Sequence, residues 1–163
     1  MANNDRRDTK IQSFGGSRDA LLPLFRLADD SEAQIAAYRD DGTVYVARDG
    51  DDLIGHVQIV ETGPANALEI MSIAVAEERQ GQGIGRKLVA AAIDHARAAG
   101  ASRLSVATAT ADIANLRFYQ LAGFRFYAIV RDAFGPDKGY PPDLMVDGIP
   151  LHDQIVLDMQ ITV

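Results

Sequence analysis

Ile73-Ala74-Val75-Ala76-Glu77-Glu78-Arg79-Gln80-Gly81-Gln82-Gly83-Ile84-Gly85-Arg86 runs from an apolar strand-like segment, through three glycines in five residues, into an amphipathic helix. Glycine lacks a Cβ, so its backbone can approach a bulky anion, and the unpaired N–H groups of a helix start all point toward such a group. A diphosphate fits a loop of this kind without a cationic protein around it. Arg79, Arg86 and Lys87 add local positive charge suited to a further phosphate. The loop reads GxGxG; the phosphate loop GxxxxGK[ST] and the GxGxxG of dinucleotide folds are both absent, and the loop does not follow the first strand.

Downstream, Ile84 to Ala99 places Ile84, Leu88, Val89, Ala92, Ile93 and Ala96 on one stripe and Arg86, Lys87, Asp94 and Arg97 on the other. This predicts a helix stopped by Gly100. Arg103 to Thr108 then alternates as a strand, Asp112 to Leu121 is helical and ends at Gly123, and Phe124 to Val130 and Ile155 to Val163 read as strands. Upstream, Leu68 to Ala76 is a strand behind the breaker Gly63-Pro64, and Thr43 to Ala47 and Leu53 to Val60 flank the turn Asp49-Gly50-Asp51-Asp52 as an antiparallel hairpin. From Ser17 to Asp40 the pattern is helical, broken at Asp29-Asp30-Ser31, with Ser31 as N-cap of a second helix carrying Ile35 and Tyr38. The order predicts one α+β domain over residues 1–163: a mixed, mostly antiparallel sheet flanked by helices, with a parallel join where the strand ending near Ala76 crosses over to the next.

The 163 residues are 47% apolar and 24% charged, enough for one core, and contain no cysteine. A thiol nucleophile, a disulfide framework and a Cys-ligated metal are therefore excluded. His56, His95 and His152 lack ligand spacing, so no metal site is expected. The segment MANNDRRDTK has no apolar stretch of a secretory signal, and no apolar run approaches the roughly 18 residues of a membrane span, which together lead to the expectation of a cytoplasmic protein without membrane contact. A net charge of −7 argues against nucleic acid as a partner and favours cationic ones.

Gln80-x-x-Gly83-x-Gly85, behind the strand Glu69-Ile70-Met71-Ser72-Ile73-Ala74-Val75, resembles the signature of the GNAT family of N-acetyltransferases. Leu116-Arg117-Phe118-Tyr119-Gln120-Leu121-Ala122-Gly123-Phe124 is similar to that family's second hallmark, a helix carrying Phe-Tyr and ending in Gly-Phe. The resemblance implies acetyl-CoA as cosubstrate, no metal, and acetyl transfer to a primary amine by direct attack. It implies that Gln80 opens the phosphate motif and that the backbone N–H groups of Gly81, Gln82, Gly83, Ile84, Gly85 and Arg86 bind the pyrophosphate. Along Ile73-Ala74-Val75, the backbone of Ile73 and Val75 would pair with the pantetheine arm as an added strand. Tyr119 would lie beside the thioester sulfur and protonate the departing thiolate. Relatives commonly carry Asn where this chain has Asp112, seven residues before Tyr119, and Asn115 follows one turn later; which of the two reaches the pantetheine is left open. Glu69 is the candidate base, since it starts the strand that lines the cofactor and precedes apolar residues that would raise its pKa.

Residues 131–153 are too long and too rich in breakers for a simple turn. Phe134 and Tyr140, interleaved with Asp137, Asp143, Asp147 and Asp153, are expected to form an acceptor-side loop selecting a small cationic amine. Two rival readings remain at this level: an acyl-CoA-binding sensor without catalysis, and acetylation of a protein N-terminus or lysine. The sequence leaves a homodimer open.

Overall fold

A computed structural model describes residues 9–64 and 66–162. The chain enters by β1 (Lys10–Ser13) and a 3-10 turn that leads into α1 (Leu22–Ala28) and α2 (Glu32–Tyr38). There follow β2 (Thr43–Asp49), β3 (Asp52–Glu61), β4 (Ala67–Val75), α3 (Ile84–Ala98), β5 (Arg103–Ala109), α4 (Ile113–Leu121) and β6 (Arg125–Val130). A small hairpin of β7 (Met145–Val146) and β8 (Ile149–Pro150) precedes the last strand, β9 (Gln154–Gln160). The helix breaks lie where side chains cap. Ser31 Oγ accepts from the Gln34 N–H at 3.2 Å to start α2, and Asp112 Oδ1 accepts from the Asn115 N–H at 3.0 Å to start α4.

Seven strands form one sheet in the order β1-β2-β3-β4-β5-β9-β6. Every pairing is antiparallel except β4 with β5, which is parallel and runs only from Ala67↔Arg103 to Ile70↔Val106. The expected α+β sheet with one parallel join is thus the fold observed. Three features lay outside the sequence pattern: β1 is too short and exposed to show alternation, β7–β8 interrupts the long loop, and β9 inserts between β5 and β6. The last strand also stops at Gln160, short of the expected Val163, which lies outside the described residues.

Apolar side chains divide between the two faces. On one, α3 and α4 bury Leu88, Val89, Ala92 and Tyr119 against Val57, Ile59, Leu104, Val106 and Leu157. On the other, Leu21, Leu24, Phe25 and Ile35 from the first helices cover Val44 and Val46. A bulge controls which residues of β4 face which side: Gln58 pairs with Ser72 but Ile59 with Ile70, so Met71 is the extra residue. Leu68 and Ile70 before it, and Ile73 and Val75 after it, all belong to the α3 side, although strict alternation would separate them. Gly55 lets α3 press on β3, since an added Cβ there would lie 3.2 Å from Leu88 Cδ1 and 3.0 Å from the Ala74 carbonyl oxygen. Leu88 is fully buried. Leu88→Ala is expected to destabilise the protein by about 2–5 kcal/mol, measured by chemical denaturation, through the cavity left between α3 and β3.

Candidate active site

Beyond Ile70 and Val106 the two parallel strands part, and a cleft of about 920 Å³ opens between them. Ile70 to Val75 form one wall and Val106 to Ala109 the other. The start of α3 with its glycine loop closes one end, α4 contributes Asp112, Asn115, Phe118 and Tyr119, and residues 27–30 with Phe134, Tyr140, Val146 and Leu151 close the other end. Val75 is β4's last residue, and its carbonyl accepts a hydrogen bond from the Gln80 side-chain amide at 3.1 Å, which ties the strand end to the loop.

The glycines divide their labour. Gly81 and Gly83 have φ of 75° and 82°, and a Cβ built on either meets nothing within 4 Å, so their backbone faces open space. Gly83 is the N-cap of α3 and no side chain caps the helix start, which leaves its first N–H groups for an incoming anion. Gly85 has another role: a Cβ there would lie 3.4 Å from the Phe118 ring, so this glycine allows α3 and α4 to meet. The cations also part. Arg79 is engaged, donating to Asp49 Oδ2 at 2.6 Å and to Gln82 Oε1 at 3.2 Å. Arg86 is exposed and lines the cleft, whereas Lys87 lies in a separate groove with Ile11 and His95. Of the three cations expected there, Arg79 and Arg86 line the cleft, Arg79 with its charge already paired to Asp49, and Lys87 does not. Gln82 is not part of that wall; it orients Arg79.

Tyr119 lines the cleft yet is only 3% exposed, its ring edge-on to Phe118 and Phe124 with centroids 5.2 and 5.9 Å away. Burial, reinforced by the charge of Asp112, pushes its phenol well above the ordinary range, so it keeps its proton near neutral pH. Among the described residues no protein group hydrogen-bonds its hydroxyl. Asp112 and Asn115 both line the cleft: one oxygen of Asp112 is engaged in capping α4, and the Asn115 amide donates to Thr108 Oγ1 at 3.3 Å, leaving its carbonyl oxygen available.

The fold sets several other expected residues back from the cleft wall. Glu69 stands one residue before the cleft wall begins, in register with Val60 and Ser105, and the Met71 bulge separates its side from that of Ile73 and Val75. It is half-buried, and burial raises its carboxyl above the usual range, but it does not line the cleft. Of the 131–153 loop, the aromatic and apolar residues Phe134, Tyr140, Val146 and Leu151 reach the cleft, while Asp137, Asp143, Asp147 and Asp153 do not. Asp143 and Asp147 occupy exposed turn positions with φ of 61° and 48°, and Asp153 accepts from the Asp132 N–H at 3.0 Å. Besides Asp112 near α4, the carboxylates that line the cleft are Asp29 and Asp30, whose sequence signal was legible only as a helix break. His56, without a role in the sequence reading, is fully buried against Phe25, with Nε2 2.8 Å from Ser72 Oγ. Among the described residues no group of three or more His, Asp or Glu could hold a metal, and no helix is long and apolar enough to cross a membrane.

A model of the acetyltransferase (GNAT) family matches residues 15–124. The chain belongs to the GNAT acetyltransferase family. It is 35% identical over 148 residues to the uncharacterized N-acetyltransferase YvbK of Bacillus subtilis, covering 91% of this chain and 94% of that one. An IAA acetyltransferase from Bacillus cereus superposes with a TM-score of 0.85 at 40% identity, over 94% of this chain and 99% of that one. A GNAT acetyltransferase from Elizabethkingia anophelis with acetyl-CoA bound gives 0.85 at 30% identity, over 93% and 97%. The chain is accordingly an acyltransferase enzyme, and the open backbone of Gly81 and Gly83 before an uncapped helix fits the diphosphate of a coenzyme A thioester. A Cβ at Gly83 meets no atom but its φ of 82° strains any side chain, so Gly83→Asp is expected to cost about 1–2 kcal/mol of stability, keep the fold, and abolish CoA binding in calorimetric titration by placing bulk and negative charge where the diphosphate sits. Unchanged affinity would make the loop a mere turn.

Proposed function

We propose that this GNAT enzyme transfers an acetyl group from acetyl-CoA to the primary amine of a small molecule by direct attack. The observation that carries the reading is a single cleft with a glycine-loop helix start at one end, a capped end of aromatic and acidic residues at the other, and a protonated phenol between them. The thioester would enter with its diphosphate on the Gly81 to Arg86 backbone and its pantetheine beside Ile73, Ala74 and Val75, whose strand has no neighbour on the cleft side. Asn115, through its free carbonyl oxygen, and Asp112, through the carboxylate oxygen not used to cap α4, would each be able to accept from a pantetheine amide.

In the transfer step the neutral amine attacks the thioester carbonyl, a backbone N–H near Ile73 donates to the oxygen that gains charge, and Tyr119 gives its proton to the departing sulfur. The buried, protonated state of Tyr119 supports that role. Glu69, set back from the cleft wall, would take a proton from the ammonium only through water.

Closure of the acceptor end supports a small acceptor over a peptide. Ser31 Oγ donates to the Lys138 carbonyl at 2.8 Å and the Tyr140 hydroxyl to Asp29 Oδ1 at 2.9 Å, so the 131–153 loop is stapled to the α1–α2 junction across the end of the cleft. A peptide would need that end open. Tyr119→Phe should lower kcat by about 10²-fold with little change in KM for acetyl-CoA, followed as thiol release against a panel of amines and peptides. Thiol release at the wild-type rate would remove Tyr119 from the mechanism, and turnover of peptides alone would reverse the acceptor assignment.

A further inference from the structure

We infer that Asp29, braced by the hydroxyls of Tyr38 and Tyr140, is the seat of the acceptor's ammonium group, and that the acceptor is a primary ammonium on a short apolar or aromatic frame. This inference rests on the amine acetyltransferase reading above and deepens it at the acceptor end of the same cleft.

Asp29 terminates α1, and its carboxylate is held from three elements. Oδ1 accepts from the Tyr140 hydroxyl at 2.9 Å and from the Ser31 N–H at 3.0 Å, and Oδ2 accepts from the Tyr38 hydroxyl at 3.2 Å. A carboxylate offers about four acceptor positions, so three donors fix its orientation and leave room for one more. Asp29, Tyr38 and Tyr140 all line the cleft. Burial, followed by the nearby charge of Asp29, raises both phenols above their ordinary range, so they persist as donors and do not compete as anions.

The surroundings select the rest of the molecule. Leu27, Phe134, Val146 and Leu151 wall this end, and the Phe134 ring stands edge-on to Tyr140 at 5.2 Å, a surface for an apolar frame and for an alkylammonium over an aromatic face. Asp30 lines the same end, so an acceptor bearing its own carboxylate meets like charge. Behind the seat, the Tyr38 hydroxyl also meets Ser72, which is in turn hydrogen-bonded to the buried His56, so the phenol is fixed from the core. The seat opens into the same cleft that Tyr119 lines, so an ammonium held there shares one cavity with the proposed acid.

The test compares Asp29→Asn, Tyr140→Phe and the triple variant Asp143→Asn, Asp147→Asn, Asp153→Asn with the wild-type enzyme. Thiol release is followed with phenethylamine, alkylamines and free amino acids, and each amine is also titrated into the CoA-saturated protein, a readout independent of turnover. Wild type is expected to prefer the amines over the amino acids. Asp29→Asn is expected to raise KM and Kd for the amine by about ten- to hundredfold, the range of a hydrogen bond to a charged group, with CoA affinity unchanged. Tyr140→Phe, which keeps the charge but loses one brace, should shift both by only a few-fold, and the triple variant, whose three residues lie outside the cleft wall, should match wild type. Preference for amino acids, an unaltered amine Kd in Asp29→Asn, or equal losses in Asp29→Asn and Tyr140→Phe would overturn the seat while leaving amine acetylation standing. Absence of thiol release with every one of these amines, from protein that still binds CoA, would overturn the small-amine reading and the seat with it.

Discussion

The brevity of the parallel pairing between β4 and β5 governs everything else in this molecule. Four positions pair, from Ala67 to Ile70, and then each strand follows its outer neighbour, β4 staying with β3 to Val75 and β5 with β9 to Ala109. A strand edge turned inward is costly unless its N–H and C=O groups find partners, since buried backbone groups are nearly always bonded. A cosubstrate with amides along its length is a suitable partner for such an edge. The Met71 bulge lies at the point of parting, and it bends β4 while exchanging the residues that face each side. One inserted residue thereby opens the cleft, turns Ser72 toward the first helices and keeps Ile73 and Val75 in the α3 core.

The charge distribution follows from that geometry. A chain of net charge −7 has little surplus cation for a ligand rich in phosphate, and Arg79 is already tied to Asp49. Positive potential at the glycine loop comes instead from oriented peptide groups at the start of a 15-residue helix, worth roughly half a charge. This is why the site needs glycines more than lysines. The ion pair at Asp49 still matters, because it anchors the segment before Gly81 to the end of β2 and presents those peptide groups in one arrangement.

Much of this was legible in the sequence because it was written locally. The amphipathic stripe of α3, the Ser31 cap, the turn between β2 and β3 and the glycine spacing each concern residues within a turn or two of one another. What escaped depends on pairings across long separations. The exposed four-residue β1 has no apolar period to read, and the insertion of β9 between β5 and β6 is a choice of partner that no local pattern encodes. Met71 sits within an apolar run where strict alternation is indistinguishable from a bulge, so the side that Glu69 takes relative to Ile73 and Val75 could not be read there. Composition misled in the long loop as well. Its aspartates drew the eye, but in turns such residues serve backbone geometry, as the positive φ at Asp143 and Asp147 shows, while the cleft received the loop's aromatic residues and a carboxylate from a helix end.

Taken with the proposed acceptor seat, the two ends of the cleft carry opposite potentials, which bears on the order of events. The glycine loop attracts the anionic end of the thioester, and the Asp29 end attracts an ammonium, so each substrate is repelled from the other's site and the reacting groups are brought in from opposite sides. Attack requires the amine in its neutral form, so the ammonium that binds must first release a proton, and the carboxylate that favours binding also opposes that release. The seat therefore has to be shared with solvent, and Asp29 and Tyr140 are half-buried, not sealed. Acetylation then removes the charge for good. A neutral amide has no claim on a braced carboxylate, so the interaction that holds the substrate is absent from the product, and the chemistry itself weakens the grip at the acceptor end.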